Sequence, residues 1–221
     1  VGYWRIEQVH RGFADWVTYL RKFYDPCAVE LDRWNVDIVT PEGDSHVERT
    51  LTVTNPTNQP VFTRKHEAFA DVPVDDRTFN LQAYDAQGNE LNATVIRGVL
   101  SSIRSAIFGN SSKSKIVAVN IGLQARGGPY TYSYRYYWPR AFRKEDYFDL
   151  KRPAISERTE FHLKFPQGTE LNEIKCEEVL PEAKLSIPIT QRGMDSGRGF
   201  ATIIIERPTP LAKHHIEWTY G

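Results

Sequence analysis

Tyr130-Thr131-Tyr132-Ser133-Tyr134-Arg135-Tyr136-Tyr137-Trp138 places an aromatic ring at every even position, with Thr131, Ser133 and Arg135 between them. Side chains on a strand alternate between the two faces of a sheet, so Tyr130, Tyr132, Tyr134, Tyr136 and Trp138 share one face. The reading is a half-buried strand whose even face is core, with phenol hydroxyls reaching the sheet margin. Arg135 and Tyr137 then point outward and are the functional candidates on this strand. The competing reading, an open stacking platform for bases or sugars, is the weaker one, because a large sheet protein needs aromatic filler.

The same two-residue period recurs on both sides. Trp34, Val36 and Ile38 alternate with Asn35 and Asp37, Pro41-Glu42-Gly43-Asp44 supplies a turn, and Val47, Arg49, Leu51 and Val53 return. Phe79, Leu81 and Ala83 lead through Asp85-Ala86-Gln87-Gly88-Asn89 to Leu91, Ala93 and Val95 as a second hairpin. Val117, Val119, Ile121 and Leu123 form a strand before the tyrosine run, and Phe161, Leu163 and Phe165 another after it. Further strands are expected near 172–179, 184–190, 199–206 and 213–220. The total of roughly ten to twelve strands predicts a mainly β, antiparallel β-sandwich of immunoglobulin-like class. Two segments carry helical spacing instead. Residues 4–24 repeat Ile6, Val9, Phe13, Trp16, Val17, Leu20 and Phe23 at three- and four-residue steps, ended by Asp25-Pro26. Residues 97–114 do so with Val99, Leu100, Ile103, Ile107 and Phe108. The domain reading is an N-terminal helix over 1–26 and one elaborated sandwich over 27–221, any lobe division falling between 140 and 156.

The 221 residues suffice for a real core, and 40% hydrophobic residues set the chain apart from disordered ones. The 28 basic and 28 acidic residues cancel, which gives no general attraction to nucleic acid or to an anionic membrane. Cys27 and Cys176, the two cysteines, make no scaffold and are read as buried thiols, consistent with a cytoplasmic location. No apolar run reaches the ~20 residues that cross a bilayer. The chain begins at Val1 rather than Met, which reads as a start trimmed or cut from something longer.

Motifs for chemistry are sparse. The six histidines show no HExxH or paired Cys/His spacing, and His214 and His215 would point to opposite faces of a strand, so no metal and no cofactor are expected. Gly109-Asn110-Ser111-Ser112-Lys113-Ser114 lacks the second glycine and the strand-to-helix order of a phosphate loop. Ser196, in the loop Gly193–Gly199, has His214 or His215 downstream as a base, yet no GxSxG elbow. His66, Glu67, Asp71, Asp75 and Asp76 read as a solvated polar loop.

Two surfaces stand out. Arg140 to Pro153 reads as a long loop in which cations lie beside rings, suited to a protein partner or a small phosphate-bearing ligand; its candidates are Arg140, Phe142, Arg143, Lys144 and Tyr147, joined by Arg135. The 97–115 segment, with Leu100, Ile103, Arg104, Ile107 and Phe108, could touch lipid or a partner through a basic amphipathic face. The leading expectation is a non-enzymatic binding or sensing module, part of a larger polypeptide or assembly. The alternatives are a membrane-proximal effector or receptor domain behind a lost transmembrane segment, and a serine hydrolase using Ser196.

Overall fold

The computed structural model describes residues 26–96, 112–151, 156–180, 183–209 and 212–221. The expected helix over 4–24 lies outside these residues, as do Leu100, Ile103, Arg104, Ile107 and Phe108 of the expected helical insert.

The described chain is built of strands. In order they are β1 (Ala28–Ile38), β2 (Ser45–Thr54), β3 (Val61–Val74), β4 (Gln82–Asp85), β5 (Ala93–Ile96), β6 (Ser112–Leu123) and β7 (Tyr130–Trp138). They continue as β8 (Glu145–Lys151), β9 (Ser156–Gln167), β10 (Leu171–Val179), β11 (Lys184–Ile187), β12 (Gln191–Asp195), β13 (Arg198–Glu206) and β14 (Lys213–Tyr220). They form a seven-stranded sheet in the order β12-β13-β9-β1-β2-β7-β4, a four-stranded sheet β11-β10-β14-β8 and a three-stranded sheet β3-β6-β5.

The two-residue period sets which face is buried. Along β1, Trp34, Val36 and Ile38 are buried while Arg33, Asn35 and Asp37 are only half-buried. On β7, Tyr132, Tyr134, Tyr136 and Trp138 are buried and Arg135 is exposed, as the aromatic alternation requires. Both small sheets cover this one inner face. Over the β9 and β1 half, Phe148 of β8 meets Trp34 at 5.3 Å and Phe161 at 6.2 Å between ring centroids, and Trp218 of β14 meets Phe165 at 6.3 Å. Over the β7 half, His66 of β3 stacks on Tyr134 at 4.9 Å. Fully burying side chains of this size stabilises by roughly 1.5–3 kcal/mol each, so the aromatic seams dominate the core.

A short helix, α1 (Asp76–Phe79), plugs the β7 edge. Asp75 caps it by accepting hydrogen bonds from the amides of Arg77 and Thr78, and Asn80 ends it in the left-handed region. Its Phe79 is fully buried, stacked on Tyr136 at 4.6 Å and edge-on to Trp138 at 5.5 Å.

The structure corrects four expectations. β1 and β9 pair in parallel, so the fold is not purely antiparallel. A parallel pair needs a long crossover, here the whole stretch between residues 38 and 156, and alternation cannot reveal that. The polar segment holding His66 and Glu67 is not a loop but β3. Within the expected loop from Arg140, Glu145–Lys151 is strand β8. The end of the expected helical insert, from Ser112, is strand β6, and Lys115 is buried there against Asp76 at 2.6 Å.

Candidate functional site

The inner face carries a polar cluster where the two small sheets adjoin. Arg49 donates from Nε and Nη2 to the two Asp32 carboxylate oxygens, both at 2.8 Å, and its guanidinium lies 4.4 Å over the Trp34 ring. Arg49 Nη1 also lies 3.3 Å from His66 Nδ1. A guanidinium only donates, so Nδ1 accepts, the proton sits on Nε2, and that nitrogen donates to the Tyr132 hydroxyl at 2.9 Å. Arg64 Nη1 donates to the same hydroxyl at 2.9 Å. Burial, followed by the charges of Arg49 and Arg64, holds His66 well below its ordinary range, so the imidazole is neutral. The cluster is sealed inside the sandwich and acts as a strut between sheets.

The outer face of the seven-stranded sheet is different. Register places Gln82, Arg135, Glu48, Asn35, His162, Thr202 and Gln191 in one row across seven strands, all on this face. The next row contains Tyr137, His46, Asp37 and Lys164. The first row from Gln82 to His162, the second row and Asn80 line an open groove of about 630 Å³. Its ends are fixed. Arg135 donates to Gln82 Oε1 at 2.8 Å and lies 5.2 Å from the Tyr84 ring centroid. His46 packs on Tyr137 at 5.1 Å. Asp37 is paired with Arg198, which also donates to the backbone carbonyls of Phe165 at 2.7 Å and Ile38 at 2.9 Å. Burial, with the Asp44 carboxylate close by, keeps the Tyr137 hydroxyl above its ordinary range and therefore protonated.

Beside the groove sits a clamped carboxylate. Burial alone would raise Glu160, but hydrogen bonds from Arg33, His162 and Arg158 outweigh it and pull the group down to about 2. The contacts are 2.6 Å from Arg33, 3.2 Å from His162 and 2.7 Å from Arg158. His162 is held on its other nitrogen by the Thr202 hydroxyl at 3.3 Å.

The residues expected from sequence are scattered. Arg135 lines the groove. Phe142 is buried, edge-on to Trp218 at 5.5 Å, so it is core rather than an open ring. Arg140, Arg143 and Lys144 are exposed on the connection from β7 to β8. Tyr147 is exposed on β8, packed on His215 at 5.2 Å, on the outer side of the opposite layer from Arg135. Ser196 tops the β12–β13 turn and donates to Asp195 at 3.1 Å. His215 pairs with Asp149 at 2.6 Å and His214 with Glu178 at 3.2 Å, so each of the three has its partner elsewhere. Among the described residues, no group of three or more His, Cys, Asp or Glu side chains could hold a metal ion, and no helix is long and apolar enough to cross a membrane. Asn35, Glu48, His162 and Lys164 do not stand out as site residues in the sequence because each is simply the polar half of an alternating strand; only register unites them.

No protein-family model matches the sequence, and no curated protein matches it. The architecture does recur in solved structures. A putative protease from Parabacteroides distasonis superimposes with a TM-score of 0.53 at 10% identity, over 88% of this chain and 40% of that one. The M1 zinc metallopeptidase of Deinococcus radiodurans gives a TM-score of 0.50 at 10% identity, over 86% of this chain and 42% of that one. Its E323A mutant bound to a Tyr-Ser-Ala substrate gives the same values. The chain thus spans about two fifths of the length of each. At such identity the likeness establishes the fold. It also overturns the expectation that the chain is not an enzyme, since this layered sheet architecture occurs within a putative protease and a zinc metallopeptidase.

Proposed function

We propose that the chain is the β-domain of a peptidase-type hydrolase. The observation that carries this reading is the extent of the likeness: 86–88% of this chain follows the layered sheets of a putative protease and a metallopeptidase, of which those sheets form two fifths. The zinc in the name of the Deinococcus protein has no counterpart ligand group among the described residues, so the reading assigns these residues no step through a metal. What they supply is a rigid layered scaffold with one polar, ligand-sized face.

The test is hydrolysis by the longest natural polypeptide that contains these 221 residues. The purified protein is incubated with Tyr-Ser-Ala, a panel of longer peptides and aminoacyl amides, and products are read by mass spectrometry. Cleavage of peptide bonds is expected. A folded, monodisperse protein that cleaves no peptide, amide or ester in the panel would overturn the reading.

A further inference from the structure

The two central charges of the outer groove have no opposite charge on them. Glu48, at the middle of the polar row, makes no hydrogen bond or ion pair among the described residues, nor does Lys164. Arg135 faces Glu48 across β2 and β7 but turns its guanidinium the other way, to Gln82 and the Tyr84 hydroxyl. Asp37 faces Lys164 across β1 and β9 but is taken by Arg198. Between the two charges lies Asn35, half-buried in the floor, its amide likewise without a protein partner among the described residues. Of the neighbouring polar groups, Arg135, His162 and Asp37 are engaged and His46 packs on Tyr137, while Glu48, Asn35 and Lys164 offer one acceptor, one amide and one cation along the groove.

The spacing of these three groups is set by the sheet. Glu48 and Lys164 are two strands apart, and Lys164 is two residues further along β9 than His162, the residue in the row of Glu48. Strand spacing and rise then put their Cα atoms about 12 Å apart. An extended chain covers at most about 3.5 Å per residue, so three residues reach about 10 Å from end to end. The match is to a short zwitterion whose two ends carry opposite charges.

We propose that this groove binds di- and tripeptides with free termini. Glu48 receives the α-ammonium, Lys164 the α-carboxylate, and Asn35 the peptide group between them. The packed, mutually tilted rings of His46 and Tyr137 wall one side and offer an apolar surface to a side chain. Charge-assisted contacts at both termini set the length preference, because a longer peptide cannot place both ends. The proposal stands apart from the hydrolase reading, since it concerns binding on this face and needs no turnover.

Calorimetric titration of the full chain with Tyr-Ser-Ala tests it, together with the N-acetylated and C-amidated forms and a hexapeptide. Mass spectrometry of the cell contents shows whether any peptide was cut, so failure here is distinguishable from failure to hydrolyse. Saturable binding of the free tripeptide is expected, with each blocked form weaker by about tenfold. In Glu48→Gln the N-acetyl group should then make no further difference, and in Lys164→Gln the C-amide should make none. Circular dichroism confirms that both variants fold. No saturable binding below about 10 mM would overturn the proposal, as that is weaker than even a millimolar ligand. So would blocked and free peptides binding alike, or unchanged affinity in both variants.

Discussion

Asp32 and Arg49 form a two-pronged ion pair inside the sandwich, on adjacent antiparallel strands, with the guanidinium lying over Trp34. The pair lies where the three-stranded sheet reaches the seven-stranded one, and Arg49 carries the contact onward to His66 of β3. Its role follows from its cost. Two charges removed from water stabilise little in total, but each makes the other indispensable.

Asp32→Asn should therefore destabilise the protein by about 3–5 kcal/mol, since a buried guanidinium would lose its counter-charge. Replacing both, with Asp32→Leu and Arg49→Met, should recover much of that loss. Urea unfolding of the three proteins checks the claim. A single-variant cost below about 1 kcal/mol would show that the pair is effectively solvated.

His66 makes stability depend on pH in a known direction. Its imidazole is held well below its ordinary range, first by burial and then by Arg49 and Arg64. In the unfolded chain it takes up a proton as pH falls through about 6.5, while the folded chain does not. The unfolded state then binds more protons, and stability drops by up to about 1.4 kcal/mol per pH unit below that point. Unfolding free energies at pH 7.5, 6.5 and 5.5 should show a steeper loss for the native protein than for His66→Gln.

The opposite charge type behaves differently at Glu160. Hydrogen bonds from Arg33, His162 and Arg158, working against burial, keep it at about 2 in the folded state. A carboxylate with a depressed value stabilises the fold above its unfolded value near 4.3, and that contribution fades as pH falls toward 2. Arg33 and Arg158 are about two-fifths exposed, so solvent screening reduces the effect to about 1–2 kcal/mol. Glu160→Gln should show this loss in full at pH 6 and only about a quarter of it at pH 2.5, read as the gap between the two proteins in thermal unfolding.

Much of this was legible in the sequence where polarity and burial agree. On β7 the inward residues are aromatic, and on β1 they are apolar or aromatic but for Asp32, so the alternation reports the buried face directly. It fails on β3, where the inward residues include Arg64 and His66 and the outward ones Lys65 and Glu67. Both faces are polar there, so no period shows. The partners that make this burial tolerable, Arg49 and Tyr132, stand 17 and 66 residues away from His66. The groove was hidden for a related reason. It is lined by outward residues from five strands, and one of the joints is the parallel β1–β9 pair, which local patterning cannot supply.

Gly43 shows how closely the β1–β2 turn meets the start of the second layer. It has a φ of +94°, and a Cβ there would lie 1.6 Å from the carbonyl oxygen of Phe142. The two segments are also tied by the Phe142 amide, which donates to the Gly43 carbonyl at 3.2 Å. Because Phe142 is itself wedged against Trp218 and Phe148, its backbone has little room to retreat. Gly88, with a φ of +83° and nothing within 4 Å of its added Cβ, provides the control. Gly88→Ala should cost about 1 kcal/mol, the strain of the left-handed backbone alone. Gly43→Ala should cost about 3 kcal/mol or more, because it adds a collision with backbone to the same strain. Equal losses in the two variants, measured by urea unfolding, would mean that the turn and the Phe142 segment separate freely and that this contact does not hold the layers together.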